Sequence, residues 1–107
     1  MSEKTAVNPA AIGALNAKIT NFVKYNTETA TIDNNGYFTT TLKAKDNAII
    51  SIVSVFFDNM YRNAFRYEVL EYGGSDNSYI ALRFIYWDDT ILGKNKSATV
   101  EYAYIEI

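Results

Sequence analysis

Seven short runs of alternating residues, separated by turn signals, fill the chain from Asn21 to Ile107 and constrain its fold more than any other feature. They are Asn21–Tyr25, Thr29–Asp33, Tyr37–Lys43, Ala48–Phe57, Phe65–Tyr72, Tyr79–Trp87 and Ala98–Ile107. A period of two is the mark of a β-strand, and Ile, Val, Thr, Tyr and Phe, which dominate these runs, suit a pleated surface. Asp33-Asn34-Asn35-Gly36 predicts a hairpin, because Asn-Gly supports positive φ at both central turn positions. Lys45-Asp46-Asn47, Asp58-Asn59, Gly73 to Asn77 and Gly93-Lys94-Asn95 mark the other turns. Regular short strands with no later helical pattern predict a mainly β protein, an antiparallel sandwich of about seven strands.

Two of the runs are apolar at both sets of alternating positions. In Ala48–Phe57 strict alternation places Ile50, Ile52 and Phe56 on one face, and Ile49, Val53, Val55 and Phe57 on the other. Tyr79–Trp87 sets Ile80, Leu82, Phe84 and Tyr86 against Tyr79, Ala81, Arg83, Ile85 and Trp87. An antiparallel strand usually keeps one face wet, so a doubly apolar strand needs a second cover. A loop, the N-terminal segment or a neighbouring subunit would supply it, and the surplus favours a homo-oligomer. The final run, with Val100, Tyr102 and Tyr104 opposed to Ala103, Ile105 and Ile107, pins the C-terminal residues into the sheet.

Ahead of the β region the period changes. Residues 1–7 are a polar leader, and Asn8-Pro9 is a helix start, with Asn as cap and Pro at the first turn. Ile12, Leu15, Ile19 and Phe22 follow at three-four-three spacing, the seam of a heptad repeat. This is either a short helix packed on its own domain or a coiled-coil stem. About two heptads are too few to stand alone, since helix nucleation is costly, so a stem needs a trimerised head or a longer coil upstream. The chain therefore divides into a leader and helical stem, 1–22, and a β head, 23–107. At 107 residues it is one domain.

The residue inventory narrows the chemistry. With no His and no Cys, Ser-His-Asp and Cys-His catalysis are excluded, as are metal sites built on imidazole or thiolate. Gly73-Gly74 lacks the spacing and following helix of a phosphate loop. Glu68 and Glu71 fall on opposite faces of one strand. Asp88 and Asp89 end another, and a carboxylate-dependent glycan hydrolase would have to use one of them with a distant partner. Asp33-Asn34-Asn35-Gly36 lacks the spacer and closing Glu of a calcium loop. These readings predict no enzyme, no metal and no cofactor. The ten Lys and Arg are scattered and the net charge is -2, which gives no nucleic-acid footprint. No apolar stretch is long enough for a membrane span, and the first residues carry no signal peptide.

Non-covalent binding suits the remaining residues better. Phe57 to Asn63 forms a long amphipathic loop that carries Tyr61 and Arg62, and Trp87-Asp88-Asp89 ends a strand. An aromatic face beside Asp, Asn and Arg groups can hold a sugar, so these five residues are the candidate ligand contacts. The alternative is that Tyr61 and Trp87 are ordinary rim or core aromatics.

One resemblance covers residues 12–107. A heptad-like segment from Ile12 to Phe22 leads into a Thr- and Tyr-rich head. The hairpin Thr31 to Phe38, the strand Asn47 to Val55 and the closing strand Asn95 to Ile105 then follow in order. In texture and order this resembles the C-terminal head of tail-fibre or receptor-binding proteins from phages and prophages of Gram-positive bacteria. The resemblance implies a homotrimeric β-sandwich head in the virion tail, acting outside the host cell. Its partners would be other tail proteins and a host-surface glycan or protein. It carries over no binding residues. A monomeric bacterial carbohydrate-binding or adhesin module is the alternative of the same chemistry.

Overall fold

The computed structural model describes residues 22–72 and 78–107. They form seven strands: β1 (Lys24–Thr31), β2 (Tyr37–Lys43), β3 (Asn47–Phe57), β4 (Met60–Arg62), β5 (Phe65–Tyr72), β6 (Tyr79–Tyr86) and β7 (Ser97–Glu106). Two antiparallel sheets result, ordered β1-β7-β3-β4 and β2-β6-β5. Their inner faces share one core. Phe38 of β2 and Leu82 and Phe84 of β6 meet Val55 and Phe57 of β3 and Val100 and Tyr102 of β7. Ile32 and Leu92 enter it from the connections. Phe65 sets its ring edge-on to Phe84, 5.6 Å between centroids. Each large apolar side chain buried this fully stabilises the fold by about 1.5–3 kcal/mol. The protein is mainly β and sandwich-like, as the alternation predicts.

The strand pairing departs from the sequence reading in four places. The expected strands Asn21–Tyr25 and Thr29–Asp33 are one: every residue from Lys24 to Thr31 has a partner on β7. No Gly or Pro interrupts Asn26-Thr27-Glu28, so nothing stops the strand. The Asn35-Gly36 turn is not a hairpin, because β1 and β2 belong to different sheets. Asp33 Oδ1 accepts from the amides of Asn35 and Tyr37, at 2.8 and 2.9 Å, and Gly36 alone in the turn has positive φ. This local cap turns the chain from one sheet to the other. The expected loop over 57–63 is a tight hairpin. Asp58 and Asn59 both have positive φ, at 55° and 58°, and return the chain so that Met60, Tyr61 and Arg62 pair with β3.

The fourth departure is in β3. Its register against β7 slips between Ile49 and Ser51 and again between Ile52 and Ser54. Each slip inserts one residue, a β-bulge, and resets which way the next side chain points. Ile49, Ile52, Val55 and Phe57 therefore all serve the core. Ile50 and Val53 are 47% and 51% exposed. The strand is not apolar on two regular faces; it is one inward set at uneven spacing.

β6 does have two covered faces, since Ala81 is buried as completely as Leu82. Cover for the second face comes from within the chain. Ile91 bridges to Ile85, and Arg83 reaches back to Glu68 and over the Tyr37 ring. The sheets are also tied by a polar cluster. Glu28 of β1 accepts from the Thr41 amide of β2 at 2.9 Å and from the Tyr102 hydroxyl, which in turn accepts from Asn26 at 2.9 Å. At the C-terminal end the Ile107 amide donates to the Asp46 carbonyl at 2.9 Å while its side chain stands exposed. The polar leader, the expected helix, its seam residues Ile12, Leu15 and Ile19, and the expected turn over 73–77 lie outside the described residues. Phe22, the last seam residue, is 60% exposed.

Candidate functional site

The outer face of the four-stranded sheet collects most of the hydroxyls that its strands carry. Beyond the exposed Lys24 and Tyr25 at its start, β1 turns Thr27, Thr29 and Thr31 outward, while the half-buried Asn26, Glu28 and Ala30 point the other way. On β7 Thr99 and Glu101 alternate with the buried Ala98, Val100 and Tyr102. Beyond its second bulge, β3 turns Ser54 and Phe56 outward between Val55 and Phe57. β4 adds Tyr61 opposite Phe56. The registers align these residues into two rows across the sheet, Thr29-Thr99-Phe56-Tyr61 and Thr27-Glu101-Ser54. With neighbouring strands about 4.8 Å apart, the longer row spans roughly 14 Å.

Between the rows lies a shallow groove of about 320 Å³, lined by Thr27, Ser54, Phe56, Tyr61, Thr99 and Glu101. One end is aromatic: Tyr61 is 65% exposed and stands edge-on to Phe56, 4.8 Å between centroids. The other end is hydroxyl. Thr29 and Thr99 share a hydrogen bond of 2.9 Å across the strands, which fixes their rotamers. Hydroxyls donate and accept alike, so this surface can exchange hydrogen bonds with a polyol while an apolar sugar face lies on the ring.

The five residues singled out in the sequence do not converge. Tyr61 lines the groove. Arg62, its neighbour, lies on the other face, its guanidinium 4.2 Å from the Phe57 ring centroid and donating to the Phe57 carbonyl at 3.4 Å. It props the hairpin. Trp87 lines a different depression with Ala64, Phe65 and Arg66, and at 83% it is the most exposed large apolar side chain among the described residues. Asp88 Oδ1 accepts from the Thr90 amide at 3.0 Å, and bonds from the Thr90 side chain and amide hold its carboxyl below the usual range. Asp89 has φ 66° and pairs with Arg66. Both carboxylates are occupied in shaping and pinning the turn. Glu68 faces Arg83, which donates twice to its carboxylate, whereas Glu71 lies opposite Ile80.

Sequence reasoning missed Thr27, Ser54, Phe56, Thr99 and Glu101. The Thr27-x-Thr29-x-Thr31 alternation marks a hydroxyl row on one strand face. What the row faces depends on pairing with β7 and on the bulges of β3, neither of which has a local signature. Among the described residues no group of three or more His, Cys, Asp or Glu is placed to hold a metal ion. None of their helices is long and apolar enough to cross a membrane. No protein-family model, curated protein or solved structure matches the chain.

Proposed function

We propose that the chain is a non-enzymatic binding module that holds a surface glycan in the groove on its four-stranded sheet. The observation that carries this reading is the row Thr29-Thr99-Phe56-Tyr61, which sets fixed hydroxyls beside an aromatic pair whose outer ring, Tyr61, is exposed. A sugar ring has the matching character, polar at its rim and apolar on its face. The resemblance to tail-fibre heads supplies the setting: a host-attachment head in a virion tail, trimerised through Ile12, Leu15, Ile19 and Phe22. The exposure of Phe22 supports a partner for that seam.

The test is affinity electrophoresis of the full chain through cell-wall polysaccharide from Gram-positive hosts. Tyr61→Ala is expected to weaken retardation about tenfold, a loss of about 1.4 kcal/mol, while Trp87→Ala leaves it unchanged. The reverse pattern would move the site to the Trp87 turn. A light-scattering mass of one chain would remove the trimer and leave a monomeric adhesin-type module.

A further inference from the structure

Glu101 is the one charged side chain that lines the groove among the described residues. It sits in the middle of its row, between Thr27 on β1 and Ser54 on β3. Its strand is internal to the sheet and the residue is half-buried. Four ion pairs join described residues, Lys24–Glu106, Arg66–Asp89, Arg83–Glu68 and Lys96–Asp58, and Glu101 is in none of them. No hydrogen bond reaches it from a described residue, and no Lys or Arg lines the groove. The contrast with Glu28 is sharp. That carboxylate lies on the opposite face of the same strand pair and is fully engaged by Thr41, Tyr102 and Asn26.

A carboxylate withdrawn partly from water and left unpaired carries a desolvation cost that a cation relieves. Neighbouring hydroxyls cannot supply the counter-charge. The rings of Phe56 and Tyr61 line the same groove, and aromatic faces also attract cations. An anionic polymer would instead meet the carboxylate as a like charge, which disfavours it. Building on the glycan reading above, we infer that the groove selects an amino-sugar chain with free amines, whose ammonium group donates to Glu101 while a ring rests on Tyr61. Selection then runs from amine-bearing chains, through their N-acetylated counterparts, to uronate chains, which bind least.

Three oligosaccharides test this by calorimetry on the full chain at mildly acidic pH: a chitosan tetramer, the fully N-acetylated tetramer and an oligogalacturonate. The chitosan tetramer is expected to bind about tenfold more tightly than the acetylated one. That advantage should shrink with added salt and vanish in Glu101→Gln, an isosteric change on an outward-facing position whose thermal melt is checked in parallel. Equal binding of the two tetramers by the unmodified chain, or a preference that survives Glu101→Gln, overturns the inference. If both tetramers bind equally and both are lost in Tyr61→Ala, the glycan reading stands and the charge selection falls. If none of the three binds, both fall.

Discussion

At Gly36 the backbone takes φ +90°, and a Cβ built there would lie 2.3 Å from Cγ2 of Ile91. Both facts oppose any side chain. Gly36→Ala is expected to destabilise the protein by about 1–3 kcal/mol, read as a lower urea midpoint with an unchanged slope. The sequence marks Gly36 as a turn residue. That Ile91 packs over it depends on the fold and has no local sign. The candidate groove divides the same way. Tyr61 is legible as an exposed aromatic near a turn, whereas Glu101 reads as one more solvated charge in an alternating strand. Its significance lies in having no ion-pair partner among the described residues, which only the assembled sheet reveals.

Elements were more legible than their neighbours in space. Tyr37–Lys43 and Phe65–Tyr72 have the bounds that alternation and turn residues predict, β3 and β6 differ by one residue at one end, and β7 by one residue at each end. The pairing was not legible. Asn35-Gly36 has the chemistry of a hairpin and makes a crossover instead, because β1 finds a longer partner in β7. Bulges in β3 break strict alternation and change the facing of Ile50 and Ile52, which removes the apparent second apolar face. Turn chemistry also sets a pH dependence. The Tyr86–Thr90 turn is held partly by Asp88, whose carboxyl is kept below its ordinary value, mainly by the Thr90 side chain. A lowered value in the folded state means that the contribution is complete above about pH 4, the usual carboxylate value, and is lost as the pH falls through the folded value. Protection of the Thr90 amide, taken as its exchange rate against the intrinsic rate at each pH, is expected to fall on such acidification, and Asp88→Asn should abolish that change in protection.

For the whole molecule, the Glu28 cluster is the polar tie between the two sheets. Tyr102 is fully buried, and burial, together with its bond to Glu28, pushes its phenol above the ordinary range, so it remains a hydrogen-bond donor. Tyr102→Phe keeps the ring and removes the donor, leaving Glu28 with less than its full set of partners. The expected cost is about 1–3 kcal/mol by chemical denaturation. Tyr102→Phe leaves the outer face of the sheet intact, so glycan binding below the melting range should not change. Loss of binding at unchanged stability would place this cluster in the site rather than under it.

The strand order has a consequence in time as well as in space. β7 lies between β1 and β3, so the last of the seven strands to leave the ribosome is an interior strand of its sheet. Until Ser97 to Glu106 are available, β1 has no ladder and Tyr102 cannot reach Glu28. Contacts between distant parts of a chain make folding slow, since loop closure comes before any gain. The four-stranded sheet is therefore completed only when the final strand closes it, and the groove on its outer face, which needs Thr99 and Glu101, comes into being with that closure.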